Sequence, residues 1–184
     1  MNKEYIQACK NQDPRSQKAV FLHFAPKMMT ICRRYVYSDE NAKDVLQEAF
    51  LKLFKNIDLY DEQKSNFESW IRMIVVQEAI TYWRKYIKKS NFVEEDLVPL
   101  QIENPIIEAQ LDEENILELI KSLPDSTRIV FNLYVFEGMT HQEISQTLHI
   151  GESTSRSQLT RARKQIQEAI LIQNRSENYA KVRI

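Results

Sequence analysis

Apolar residues recur with helical spacing along much of this 184-residue chain. Between residues 41 and 57, Val45, Leu46, Ala49, Phe50, Leu53, Phe54 and Ile57 fall at i, i+1, i+4, i+5, i+8, i+9 and i+12, which gathers them on one side of an amphipathic helix. The other side carries Asp44, Gln47, Glu48 and Lys52 and is left to solvent or a partner. A second helix is expected after Ser65, because Ser65-Asn-Phe-Glu68 has the spacing of a capping box, in which side-chain oxygens accept from free backbone N–H groups. Its apolar stripe is Phe67, Ile71, Ile74, Val75, Ala79, Ile80, Trp83 and Ile87. Gln77, Thr81, Arg84 and Lys88 occupy another side at i, i+4, i+7 and i+11, with Lys85 and Lys89 beside them. Trp70 and Trp83 are assigned to the core. Tyr82 and Tyr86 leave the stripe next to the basic residues, where a base could stack on them.

A second group of helices follows residue 111. Ile116, Leu117, Leu119 and Ile120 open it, and Ser122-Leu-Pro-Asp125 interrupts it, with Ser122 as a cap and Pro124 at an early helical position that needs no N–H. A helix through Arg128 to Phe136 ends near Gly138, and Thr140-His-Gln-Glu143 supplies a second capping box for a short helix containing Ile144 and Leu148. The chain turns through His149, Ile150 and Gly151 into a further helix with Leu159, Ala162, Ile166 and Ile170 on one face. Two capped helices joined by so short a turn make a helix-turn-helix. The second carries Arg156, Ser157, Gln158, Thr160, Arg161, Arg163 and Lys164. Arg and Gln can pair with base edges, and cations and hydroxyls can hold phosphates.

Charge divides the chain in the same way. Between Lys89 and Lys121 there is no Lys or Arg, while nine acids occur, leaving 17 acids against 25 bases in the remainder. The positive charge concentrates in residues 70–89, with five bases and one acid, and in residues 151–164, with four bases and one acid. Residues 90–110 include Pro99 and Pro105 and have no sustained apolar period, so they read as an acidic linker. The expected fold is all-α, with two small helical domains at 1–89 and 111–173, a linker at 90–110 and a carboxy-terminal tail at 174–184. The tail loses its apolar period and is expected to fray or to bind a partner.

Composition removes several classes of function. Two glycines, Gly138 and Gly151, are too few for phosphate-cradling loops, dinucleotide fingerprints or hairpin-rich barrels. Cys9, Cys32, His23, His141 and His149 show no metal-ligand spacing, so no metal and no cofactor is expected. Cys32 is assigned to the core, and His141 and His149 to surface or capping roles. Residues 1–13 lack the apolar core of a signal peptide, and no stretch approaches about 18 consecutive apolar residues. A cytoplasmic protein without membrane insertion is therefore expected.

Three segments together resemble a known family. DVLQEAFLKLFKNI (44–57), FESWIRMIVVQEAITYWRK (67–85) and the helix-turn-helix run from Leu123 to Ile166 are similar to the small extracytoplasmic-function sigma factors of the bacterial sigma-70 family. The resemblance implies a non-enzymatic initiation factor that brings core RNA polymerase to promoters and opens the DNA. It implies that Asp44, Gln47 and Glu48 meet the polymerase clamp, with further contact to the beta flap. Gln77, Thr81, Arg84, Lys85 and Lys88, with the loop 59–66, would hold the melted minus-ten element. Arg156, Ser157, Thr160 and Arg161 would read the double-stranded minus-thirty-five element. An anti-sigma factor is a further implied partner. The chain departs from the family pattern at Gln77, Met73, Thr160 and Gly151, so no promoter preference carries over.

Other classes leave other signals. A stand-alone helix-turn-helix regulator would need no polymerase. A helical nuclease would use Asp44 and Glu48, although no third group completes that site. A helical adaptor would not need a basic second helix.

Overall fold

The computed structural model describes residues 3–87 and 113–181. All regular elements among them are helical. The chain packs as two compact units, Met1–Tyr86 and Ile87–Ile184. The expected linker, 90–110, lies outside the described residues, as does Lys88.

The first unit contains α1 (Lys3–Lys10), α2 (Pro14–Tyr35), α3 (Asp39–Lys55) and α4 (Phe67–Tyr82), with a 3₁₀ turn at Ile57–Leu59. The apolar pattern above predicts no helix over 14–35, yet the start signal is local. The Asp13 carboxylate accepts from the Ser16 N–H at 2.8 Å, and Pro14 follows where no donor is needed. Pro26 interrupts the pattern inside this helix. Its buried residues Val20, Phe24, Met28, Ile31 and Tyr35 nevertheless form one face. That face meets Val45, Leu46, Ala49, Phe50 and Leu53 of α3 and Ile71, Val75, Ala79 and Ile80 of α4, since all three helices pack on one another. Each fully buried aliphatic side chain here contributes about 1.5–3 kcal/mol. Cys9 and Cys32 are buried free thiols, and burial pushes the Cys32 pKa up to about 12.

α4 begins differently from expectation. Asn66, not Ser65, is its cap, and Asn66 Oδ1 accepts from the Ser69 N–H at 2.8 Å. Glu68 does not reach back to complete a box; it pairs with Lys27 on α2. Beyond Tyr82 the helix widens into a π-helical turn, Trp83–Ile87. Trp83 is fully buried, as expected. Trp70 is only half-buried, in a cluster with Tyr60 and Phe67.

The second unit contains α5 (Glu113–Lys121), α6 (Asp125–Val135), α7 (His141–Leu148) and α8 (Glu152–Lys181). Ser122 does not cap α6. Its hydroxyl donates back to the Leu119 carbonyl at 2.7 Å, and Pro124 itself stands at the cap position. Ile120, Leu123, Ile129, Val130, Leu133, Ile144, Leu148, Leu159, Ala162 and Ile170 form the core. Buried among them, the Arg128 guanidinium donates to the Lys121 and Leu123 carbonyls at 3.3 Å each and pairs with Asp125. The backbone of α8 is helical to Lys181, through most of the segment 174–184 that the sequence assigns to a tail expected to fray or to bind a partner.

Candidate polymerase and promoter interfaces

The Thr140 capping box forms as its spacing predicts. Thr140 Oγ1 accepts from the Glu143 N–H at 3.2 Å, and the Glu143 carboxylate accepts from the Thr140 N–H at 2.7 Å, which holds that carboxyl below its usual range. Before it, Gly138 takes φ +68°, a conformation costly for residues with a Cβ. After α7, His149 adopts the left-handed conformation as a C-cap, and Ser145 secures the turn, its hydroxyl donating to the Ile150 carbonyl at 2.7 Å. The turn thereby presents α8 as the second helix of a helix-turn-helix.

On α8, Ser155, Gln158, Leu159 and Ala162 turn inward. Gln158 belongs to the predicted recognition set by composition, but its amide oxygen accepts from the Thr127 hydroxyl at 2.7 Å in the core, so it reaches no base. Arg156 is exposed and pairs with Glu152 at 2.6 Å. Ser157 and Thr160 are half-buried, their hydroxyls donating to the Thr154 and Arg156 carbonyls at 3.0 and 3.1 Å, and Arg161 is half-buried as well. Exposed Arg163 lies over the Tyr134 ring, 5.8 Å from its centroid. Tyr134 stacks on His141, whose Nδ1 shares a 2.9 Å hydrogen bond with Ser155 Oγ. Burial, then the Arg156 and Arg163 cations, hold the His141 imidazolium pKa below its ordinary value.

In the first unit, Asp44, Gln47 and Glu48 are exposed on α3. They share a groove of about 690 Å³ with Thr81, Tyr82, Lys85 and Tyr86 of the α4 end. The structure thus brings two sets of predicted site residues onto opposite walls of one groove, which α3 spacing alone does not show. Glu78, buried at its base, pairs with Lys52, so Lys52 is engaged within the chain rather than left to a partner. Gln77 is exposed and lies outside the lining, its carbonyl accepting from the Thr81 hydroxyl at 2.8 Å. Arg84 lies in the π-helical turn and is half-buried. Lys85 sits 4.8 Å from the Tyr86 ring centroid, and its pKa is raised by the Tyr86 phenol and, less, by Glu48. A residue absent from the predicted set, Leu51, is exposed one turn beyond Gln47 and lines an apolar hollow with Phe21, Phe50 and Phe54. Its i+7 spacing from Asp44 is the signal that marks it.

Comparison with known proteins finds two family matches along the chain. Residues 20–88 match the model of sigma-70 region 2, and residues 113–166 match sigma-70 region 4. The RNA polymerase sigma-H factor of Pseudomonas aeruginosa is 25% identical over 92% of this chain and 93% of its own. The ECF RNA polymerase sigma factor SigM of Bacillus subtilis is 29% identical over 68% of this chain and 77% of its own. The chain belongs to the extracytoplasmic-function group of the sigma-70 family. It is an RNA polymerase sigma factor, a factor of transcription initiation. A solved sigma factor, RpoE with the anti-sigma factor NepR from Bartonella quintana, aligns with a TM-score of 0.49 at 20% identity, over 84% of this chain and 96% of that one. Among the described residues no helix is long and apolar enough to cross a membrane, and no group of His, Cys, Asp and Glu is placed to hold a metal.

Proposed function

We propose that the two units divide promoter recognition between them. In the first, assigned to residues 1–89, Asp44, Gln47 and Glu48 dock on the polymerase clamp. Gln77, Thr81, Arg84, Lys85 and Lys88, with the loop 59–66, receive the melted minus-ten strand. In the second, assigned to 111–173, Arg156, Ser157, Thr160 and Arg161 hold the minus-thirty-five element in the major groove, while the polymerase flap binds the same domain. The acidic segment 90–110 tethers the two, and 174–184 forms the tail. The observation that carries the reading is the shared groove, with acids on its α3 wall and Lys85 with two tyrosines on the other. A partner seated on α3 then lies directly beside a basic, aromatic lip suited to single-stranded DNA.

The protein supplies binding free energy and no covalent step. Separating a duplex costs about 1.4 kcal/mol of stacking per base-pair step. Stacking on an aromatic side chain returns about 1–3 kcal/mol per base, and a bidentate contact to a base edge adds about 1–3 kcal/mol of discrimination. Such a factor acts in the cytoplasm. Restraint by an anti-sigma factor is proposed on the family resemblance. A stand-alone regulator is not favoured, because it would have no use for a region 2 match over 20–88.

Co-purification with core polymerase tests the docking face. The Asp44→Arg variant, a charge reversal on an exposed position, is expected to lose at least tenfold in core binding, equivalent to about 1.4 kcal/mol. Equal binding by variant and wild type would refute the α3 face. Failure of the wild type to bind a competent core would refute the whole proposal.

A further inference from the structure

α1 precedes the region 2 match, which starts at residue 20. It nevertheless walls a hollow of about 790 Å³, contributing Ile6, Gln7 and Lys10 opposite the loop from Asp58 to Lys64. Across this hollow the Lys10 ammonium donates to the Tyr60 carbonyl at 3.2 Å, a contact spanning 50 positions of sequence. Asp58, Asp61 and Glu62 line the same hollow, yet this contact seats the ammonium on a peptide oxygen. A bond to a carbonyl locates one peptide plane, which simple charge neutralisation would not do.

Tyr60 is the residue on which the loop turns. Its N–H donates to the Ile57 carbonyl at 3.1 Å, its hydroxyl donates to the Ser65 carbonyl at 3.1 Å, and its ring packs on Phe67 and Trp70 with centroids 5.0 and 5.4 Å away. Just beyond it, Asp61 closes a tight turn, accepting from the Gln63 N–H through its carboxylate at 2.9 Å and from the Lys64 N–H through its carbonyl at 3.1 Å. The Tyr60 carbonyl is the joint between these two anchored halves, and α1 holds it.

We infer that Lys10 is a positioning residue for promoter selection: by holding the Tyr60 peptide it sets the shape of the loop that receives an unstacked base of the minus-ten element. The inference rests on the assignment of loop 59–66 to that element. Polymerase docking, placed on α3, does not depend on it. Loss of the contact therefore relaxes base preference without weakening holoenzyme assembly.

The test uses holoenzyme assembled from the full chain and core polymerase, with open-complex formation read across promoters randomised in the minus-ten element. Lys10→Met is expected to reduce the preference for the best base over its competitors about tenfold, the scale of one recognition contact, at unchanged core affinity. Lys10→Arg, which keeps a donor, is expected to restore the preference. Asp61→Ala, which opens the turn, should disturb the same profile and serves as the control for the loop assignment. Hydrogen exchange of the loop amides, faster in Lys10→Met with α2 to α4 unaffected, separates a local change from unfolding. A uniform loss on all promoters with a shallower salt dependence would mark Lys10 as a phosphate contact and overturn the inference. A profile altered by Asp61→Ala but untouched by Lys10→Met would overturn it while leaving the loop assignment standing. A profile moved by neither variant, with both holoenzymes competent, would remove the loop assignment and the inference together.

Discussion

Ser65 and Asn66 are both good N-cap residues, and only their surroundings decide between them. The Ser65 carbonyl accepts the Tyr60 hydroxyl, which commits Ser65 to the loop, while Asn66 Oδ1 is left facing the Ser69 N–H. Glu68, read from the sequence as the partner of Ser65, is drawn to Lys27. Asn66→Ala is accordingly expected to cost about 1 kcal/mol of first-unit stability, and Ser65→Ala less than about 0.5 kcal/mol. Urea unfolding followed by tryptophan fluorescence measures both, and the reverse order would contradict the cap assignment.

At the scale of elements, α7 and α8 are joined by more than their turn. His141 opens α7, and its imidazole bridges to Ser155 at the buried face of α8 while stacking on Tyr134 of α6. Arg156, Arg163 and Glu152 of α8 are the charges around it, and the burial and the two cations outweigh the acid. The folded-state pKa therefore lies below the ordinary value near 6.5. The unfolded chain binds the proton more readily, so this contribution to stability is present above about pH 6.5 and is lost as pH falls through the folded pKa. Thermal unfolding by circular dichroism at about pH 7.5 and about pH 5.5, on either side of that value, should show a larger acid loss for wild type than for His141→Gln. Equal losses would show that this imidazole is not the group responsible. The helix-turn-helix itself was legible because its signals are local: a capping box, one glycine and an i+3, i+4 apolar pattern. The burial of Gln158 was not, because composition does not tell which side of α8 faces Thr127 on α6.

At the scale of the whole molecule, the described residues form two cores, and each can be watched separately. Both tryptophans, Trp70 and Trp83, lie in the first unit. Arg128, central to the second, ties α6 to the end of α5 through two carbonyls and Asp125. Arg128→Met leaves those carbonyls without a donor and is expected to cost about 3 kcal/mol. The loss should appear in the circular dichroism transition of the second unit and leave the tryptophan transition in place. A coincident shift of both signals would show that the two cores unfold as one. The division of labour between the units has its own tests, in core binding by Asp44→Arg and in promoter selection by Lys10→Met.

By itself the sequence determined the helices with clean apolar periods, the helix-turn-helix, the separation of basic from acidic segments and the family. Each follows from side-chain spacing within a few turns or from motif order along the chain. Tertiary structure decided which capping residue is used, that Asp44 and Lys85 face one groove, that Arg128 and Gln158 are interior, and that Lys10 holds Tyr60. These depend on which helix faces meet across tens of residues. Periodicity gives each helix an apolar side but carries no information about which other helix will cover it, so that pairing emerges only when the core is packed.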